Sequence, residues 1–345
     1  MKTVISTDRA AAVELLRTGE IVALPTETVY GLAADALNPI AVTKIFEAKE
    51  RPRFDPLIVH LPNREWLKKI ANLPKHDQQL ISKLADKFWP GPFTIVLPKR
   101  GIVPEIVTAG LDTVAMRISA HPVFGEIAQV FGRPIAAPSA NRFGRVSATT
   151  AQHVLDELNG RIALIIDAGP THHGIESTIV AVRGNNINIL RHGPISAEQL
   201  SEFAAIKIAT SPLRKISTPG QLPSHYAPKT PLYLIDGADS FFPEKNQRVG
   251  LLAWNPTSRK GDPQIAQRRT GDRRALKFAA VRALSARQDL REAAANLFHY
   301  LRELDMLGLD AIVAERVPSQ GLGAAILDRL ERASHRQSFA SDKPE

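Results

Sequence analysis

Three short segments gather side chains that can hold an anionic or polar ligand. In Pro25-Thr-Glu-Thr-Val-Tyr-Gly-Leu32, hydroxyl, carboxylate and phenol groups crowd a loop directly after the apolar run Ile21–Leu24, and strand-end loops of α/β sheets are where ligands bind. A plain turn closed by Gly31 accounts for the same letters. Lys49-Glu-Arg-Pro-Arg-Phe-Asp55 places three cations within five residues. Arginine supplies a planar fork and lysine a point charge, a pairing that brackets phosphate oxygens, although cations at a helix end also answer the helix dipole. Ala137-Pro-Ser-Ala-Asn-Arg-Phe-Gly-Arg-Val-Ser147 is small, polar and glycine-containing. Such a segment suits close backbone approach to a ligand, with Ser139, Asn141 and Ser147 offering groups to ribose or phosphate, or else it is a simple β-to-α connection.

Other positions add to this set. Glu176-Ser-Thr178 brings two hydroxyls and Arg191-His-Gly193 a cation, while His60 within an apolar run reads by itself as a core histidine. Taken together, polar groups at several strand ends describe one anion-binding crevice lined from many loops, without a nucleophile-and-base pair. The chain has no cysteine, which excludes disulfides, thiolate metal sites and a thiol nucleophile. There is no GxxxxGK[ST] phosphate loop, and Gly321-Leu-Gly323 ahead of a helix at 324–333 reads as a tight turn more than an anion cradle. His172-His173 with Glu176 has metal-ligand types without a metal-ligand spacing, so no protein metal site is expected.

These loops need a frame. From Thr7, a hydroxyl cap, apolar residues at helical spacing and a closing Gly19 predict a helix, with a buried strand at Ile21–Leu24 behind it. Apolar runs predict further strands at Leu57–Leu61, Phe93–Leu97, Val114–Ile118, Ile135–Ala137, Ala163–Ile166, Thr178–Val182 and Ile187–Leu190. The last two, joined by Gly184-Asn185-Asn186, form an expected antiparallel hairpin. Helices are expected at Pro39–Glu50, Asp77–Trp89, Val123–Phe131 and Thr150–Leu158. The class is α/β with a mixed sheet.

A length of 345 residues suggests about two domains. Ser211–Pro231 carries five prolines and separates a first domain at 1–210 from a smaller α/β domain at 231–334, with 211–230 as linker and candidate lid and 335–345 as a disordered tail. In the second domain, strands are expected at Pro231–Ile235, Val249–Trp254 and Ala311–Ala314, and a long amphipathic helix at Leu290–Leu307. The 44 Lys and Arg exceed 35 Asp and Glu by nine, a surplus that favours nucleotides or RNA as partners and equally aids solubility. Ten of those cations against three Asp lie between Arg259 and Arg291. This stretch, 259–291, is the candidate weak RNA contact, yet with Phe278 its sole aromatic it reads first as a solvated face. Asp8, Arg9, Glu14 and Arg17 interrupt any N-terminal apolar segment, and no uncharged run approaches the roughly 20 residues of a membrane span. A cytoplasmic protein with no membrane partner is expected.

Read in order, PTETVYGL at 25–32, KxRP at 49–52, APSAN at 137–141, EST at 176–178 and HYAP at 225–228 resemble the L-threonylcarbamoyladenylate synthase family in its long, two-domain form. Residues 7–210 resemble its YrdC-like catalytic domain, 218–228 its linker and 231–334 its C-terminal domain. Asn296-Leu-Phe298, Leu301-Arg-Glu-Leu-Asp305 and Pro318–Leu322 carry the likeness in that last part. The resemblance implies a YrdC-like open twisted mixed sheet flanked by helices, with a second, Rossmann-like α/β domain. It also implies a nucleotidyltransferase reaction: L-threonine and bicarbonate give threonylcarbamate, whose carboxylate attacks the α-phosphorus of ATP to yield threonylcarbamoyl-AMP and pyrophosphate. The product serves threonylcarbamoyladenosine formation in tRNA, so a downstream tRNA threonylcarbamoyltransferase complex is an implied partner, and Mg²⁺ accompanies ATP. Such chemistry is chiefly in-line positioning and charge neutralisation.

Carried over by motif position, Lys49, Arg51, Ser139 and Asn141 are expected around the reacting groups. Arg51, Asp55, Thr113, Ser139, Ser147, Arg191 and Tyr226 are expected on the ATP side. Thr28, His60, Arg117, Ala137 and Ser177 are expected on the threonine side, Arg117 as partner of the amino-acid carboxylate. The sequence departs from the family pattern at Asp55, where Asn is commoner before Pro-Leu, at Glu50 inside KxR, and at Leu222-Pro223-Ser224, where the linker is usually basic. Two rival readings keep the crevice: an RNA-binding accessory protein without chemistry, and an enzyme transferring a carbamoyl group from carbamoyl phosphate.

Overall fold

The computed structural model describes residues 2–208, 226–238, 241, 243–244, 246–254 and 278–335. Most of the linker reading, the greater part of the basic stretch at 259–291 and nearly all of the tail therefore lie outside the described residues.

The first eleven strands are Val4–Ser6 (β1), Val22–Leu24 (β2), Gly31–Asp35 (β3), Ile58–His60 (β4), Phe93–Pro98 (β5), Thr113–Arg117 (β6), Ile135–Ala136 (β7), Leu164–Ile166 (β8), Thr178–Arg183 (β9), Asn186–Arg191 (β10) and Ala205–Ile208 (β11). They form one mixed sheet in the order β1-β8-β2-β3-β7-β4-β6-β5-β9-β10-β11. Alternation along the central strands sends side chains to two cores. Ala23, Leu32 and Ala34 join the cluster that includes Ile45, Phe46, Leu84 and Phe93. Val22, Leu24 and Ala33 face the opposite way, toward Leu16, Phe124 and Ile127. Helices thus cover both faces, and full burial of each large apolar side chain contributes roughly 1.5–3 kcal/mol.

Local chemistry sets the helix ends. Asn38 accepts hydrogen bonds from the amides of Ile40 and Ala41 at the start of Pro39–Lys49, and Glu50 ends that helix in left-handed backbone. Asp8, rather than the expected Thr7, caps Arg9–Arg17: its Oδ1 accepts from the Ala11 amide at 3.0 Å, because it stands three residues before that orphan N–H. The expected hairpin is present as β9 and β10 in antiparallel register, with Gly184 and Asn185 both at positive φ, 56° and 59°, as a two-residue turn requires.

The second sheet has four parallel strands, Leu232–Ile235 (β12), Val249–Ala253 (β13), Ala280–Ala283 (β14) and Ala311–Glu315 (β15), ordered β12-β15-β13-β14. Helices Leu290–Asp305 and Leu322–Ser334 pack with it. Helix Leu290–Asp305 buries Ala293, Ala294, Leu297, Phe298, Leu301 and Leu304, a stripe at helical spacing. Gly321, at φ 56°, opens the following helix, and a side chain at Gly323 would collide with the Pro318 carbonyl; this is the close turn that the sequence suggests. Val29, Val146 and Ile175 of the first part and Tyr226 of the connecting segment share one apolar cluster with Leu297, Phe298 and Ile326 of the second. Among the described residues no helix is long and apolar enough to cross a membrane.

Candidate functional site

One edge of the large sheet collects the chain's polar strand ends. Thr26 and Thr28 follow β2, His60 closes β4, Arg117 closes β6, Ala137 and Ser139 follow β7, Ser177 precedes β9 and Arg191 closes β10. All of these line one cavity with Arg51, Glu176 and Tyr226. About 50 Å³ is open to the centres of water molecules, enough for a few of them.

The backbone of residues 25–32 is pinned before any ligand arrives. Thr26 Oγ1 accepts from the amides of Thr28 and Val29 and donates to the Val29 carbonyl at 2.6 Å, a local hydroxyl-capped turn. The Tyr30 amide donates to Ala148 O, and Ala140 donates to Tyr30 O. Tyr30 itself points into the fold: its hydroxyl donates to Gly169 O at 2.8 Å, and burial pushes it up to about 12.

His60 and Arg117 are paired residues on the parallel strands β4 and β6. Arg117 Nε donates to His60 Nε2 at 2.7 Å, Nη1 meets Glu27 Oε1 at 3.1 Å and Nη2 donates to Thr28 Oγ1 at 3.1 Å. Burial, reinforced by the Arg117 charge, holds His60 well below the usual histidine range. It is therefore a neutral acceptor that orients the guanidinium. Glu27 is fixed in turn by the Ser119 hydroxyl, so the only acid of the first motif serves the arginine.

The opposite side is built on Arg51 and Arg191. Arg51 Nη2 lies 2.8 Å from Asp55 Oδ2 and donates to Pro56 O at 2.9 Å. Arg191 donates through Nη2 to Ser177 O at 2.9 Å and Ser177 Oγ at 3.1 Å, and Ser177 Oγ also meets Thr94 Oγ1 at 2.8 Å. Tyr226, in left-handed backbone at φ 62°, is 1% exposed and stacks on Phe298 with ring centroids 5.5 Å apart. The next residue is tied down as well, Ala227 N donating to Gly144 O at 2.9 Å.

Nine of the expected residues meet at the cavity: Arg51, Ser139, Arg191, Tyr226, Thr28, His60, Arg117, Ala137 and Ser177. Five stand behind it or away. Lys49, almost wholly buried, donates to the carbonyls of Ser139, at 2.5 Å, and Asn141, and its own carbonyl accepts from Phe143 N. Burial and then the Arg51 charge lower its pKa well below the ordinary amine. Asn141 donates to the carbonyls of Arg142 and Arg145. Asp55 holds Arg51, its carboxyl raised by burial against the pull of Arg51 and Lys49. Ser147 Oγ donates to Glu176 Oε1 at 2.5 Å. Thr113 opens β6, four residues and so about 13 Å from Arg117 along the strand.

Glu50, the departure inside KxR, turns outward to Arg161, 2.6 Å away. Sequence reasoning missed two groups, Glu27 as the orienter of Arg117 and Arg329 as the partner of Glu176. No local signal marks either pair, because the partners lie 90 and 153 residues apart. Among the described residues no three His, Cys, Asp or Glu are grouped to hold a metal ion; Glu27, Asp55 and Glu176 each face an arginine.

The fold and this crevice define the protein class: a YrdC-like mixed sheet with a small parallel α/β domain docked at the mouth of its ligand site. Residues 14–193 match the Sua5/YciO/YrdC family, described as "Telomere recombination", and residues 195–335 match the family described as "Threonylcarbamoyl-AMP synthase, C-terminal domain". A threonylcarbamoyl-AMP synthase of Pyrococcus abyssi is 38% identical over 339 residues, covering 94% of this chain and 93% of that one. One of Bacillus subtilis is 38% identical over 330 residues, covering 94% and 92%. The structure of P. abyssi Sua5 complexed with L-threonine matches with a TM-score of 0.82 at 34% identity, covering 96% of this chain and 98% of that one. The chain belongs to the threonylcarbamoyl-AMP synthase family.

Proposed function

We propose that the protein condenses L-threonine and bicarbonate to threonylcarbamate and transfers the adenylyl group of ATP to its carboxylate, releasing pyrophosphate. The observation that carries this reading is the convergence of Arg51 from a loop and Arg117 and Arg191 from two strand ends on one cavity, among hydroxyls. Adenylyl transfer between oxygens needs this arrangement: fixed cations where charge develops and a frame for in-line attack.

In this reading Arg117, Thr28, His60, Ala137 and Ser177 take threonine. Arg117 offers its carboxylate a guanidinium already oriented by His60 and Glu27. Arg51, Ser139, Arg191 and Tyr226 take ATP. Lys49, Asn141, Asp55 and Ser147 act one step back, as positioning residues for Ser139, for the loop that follows it, for Arg51 and for Glu176. ATP exceeds the present cavity, so the Tyr226 ring must shift to admit it. Mg²⁺ enters on the phosphates rather than in a protein cage, as suits an ion that keeps much of its water. The product serves tRNA modification through a downstream threonylcarbamoyltransferase, in the cytoplasm.

The test is pyrophosphate release from ATP and Mg²⁺ with bicarbonate, comparing L-threonine, L-serine and no amino acid. Release that needs both threonine and bicarbonate is expected. Threonine-independent turnover of carbamoyl phosphate, or RNA binding that ATP does not compete for, would replace this reading with one of its rivals.

A further inference from the structure

An arginine of the second domain ends against two residues that line the cavity. Arg329, on the helix Leu322–Ser334, is completely buried, and its Nε lies 3.1 Å from Glu176 Oε2. Nη1 donates to His192 O at 2.6 Å and pairs with Asp328 at 2.9 Å. The guanidinium lies over the Tyr226 ring, 5.5 Å from its centroid. The other oxygen of Glu176 accepts from Ser147.

Among the described residues lining the cavity, Glu176 is the only acidic one. An uncompensated carboxylate there would oppose the polyphosphate that Arg51, Arg117 and Arg191 attract, and in a buried setting such repulsion is weakly screened. The groups facing Glu176 are Ser147 and Arg329 by hydrogen bond and Arg191 by charge, with the neutral Tyr226 phenol beside them. Of these, Arg329 alone comes from the C-terminal domain as an ion-pair partner.

We infer that Arg329 is a positioning residue of the ATP site supplied by the second domain: it cancels the Glu176 charge and fixes the Glu176–Ser147 pair, so the cavity becomes anion-receptive only when that domain is docked. The inference rests on the ATP-dependent reading above. It explains why a fully buried arginine is spent outside its own domain's core, where an apolar residue would pack at lower desolvation cost.

The test is a double-mutant cycle in the full-length chain, with Mg-ATP binding measured by titration calorimetry for the parent, Arg329→Gln, Glu176→Gln and the double variant. Arg329→Gln is expected to weaken ATP binding about 10- to 100-fold, the cost of stranding one partner of a buried pair. The double variant, with no charge left unpaired, is expected to recover most of that loss. Arg329→Lys, which keeps the charge and loses the fork, is expected to fall between, and it carries the comparison should Arg329→Gln fold poorly. Unchanged ATP affinity in Arg329→Gln overturns the inference, as does a double variant no better than the single. Coupling seen in thermal unfolding but not in ATP affinity also overturns it, by making the pair purely structural. A parent that binds no ATP overturns the functional reading and the inference together, whereas a parent that binds ATP and releases pyrophosphate isolates any failure to Arg329.

Discussion

Arg51 reaches the cavity with two of its nitrogens already committed, to the carbonyls of Asp55 and Pro56 and to the Asp55 carboxylate. Such anchoring is what a charge-stabilising group needs, since a guanidinium that does not reorganise acts at full strength in the transition state. Arg51→Ala is expected to lower kcat/KM for pyrophosphate release by about 10²–10³-fold, roughly 3–4 kcal/mol, and to lower the melting temperature too, since the buried Asp55 loses its partner, so rates are compared below the variant's own unfolding transition. Turnover at the parental level would remove Arg51 from the chemistry. The cation at position 51 was legible from KxRP, and so were the hydroxyls of 139 and 177. The services of Glu27 and Lys49 were not. A carboxylate's letter does not reveal that its partner is 90 residues away, and a lysine that turns its amine onto two carbonyls reads in sequence like one aimed at phosphate.

Strand ends do the placing. The parallel register of β4 and β6 sets His60 beside Arg117, and β5 beside β9 in parallel brings Ser177 near Thr94. Gly193 lets the chain after β10 fold back against the start of β9, and a Cβ there would run into the Thr178 amide and the Ser177 carbonyl carbon. Gly193→Ala is expected to cost about 1–3 kcal/mol of stability, as overpacking does, and to raise KM for threonine by shifting Ser177; denaturant midpoints and threonine titrations check the two effects separately. The hairpin of β9 and β10 was legible because glycine and asparagine occupy the two left-handed turn positions. Strand β3 was not: Gly31-Leu-Ala-Ala-Asp35 has weak β-formers and is buried throughout, so context rather than propensity makes it a strand.

At the scale of the molecule, the two domains meet over polar contacts as well as the shared apolar cluster. Arg302, on the helix Leu290–Asp305, donates to the carbonyls of Val146 and Ser147 and pairs with Glu157 at 3.2 Å. Gly174, at φ 68°, lies so close to that helix that a Cβ would meet the carbonyls of Ala294 and Ala295. Beside this junction His153 is pushed down to about 3, by burial first and then by Arg302 and His299. His173 is pushed down to about 4, by burial and then His172. Both stay neutral when folded, whereas the unfolded chain takes up protons near the ordinary histidine value of 6.5. Stability therefore falls as pH drops from about 6.5 toward 4. Urea midpoints between pH 7 and 4.5 are expected to decline, and His153→Gln to flatten the decline; a slope unaffected by that substitution would assign it elsewhere. The second domain was legible from proline density and a new set of apolar runs. Its docking was not, since Arg302 and Arg329 sit on amphipathic helices where an arginine ordinarily marks the solvent side.

The Tyr226 ring is held between the cavity and Phe298 of the second domain, so a ligand that displaces the ring couples its own binding to the seating of that domain. A molecule that enters does work on the second domain. By reciprocity, a macromolecule that binds that domain more tightly in one posture than in another changes ligand affinity by the same factor as the ligand changes its own. A receiver of the product could thus report its own arrival to the site that makes it, without touching the site at all.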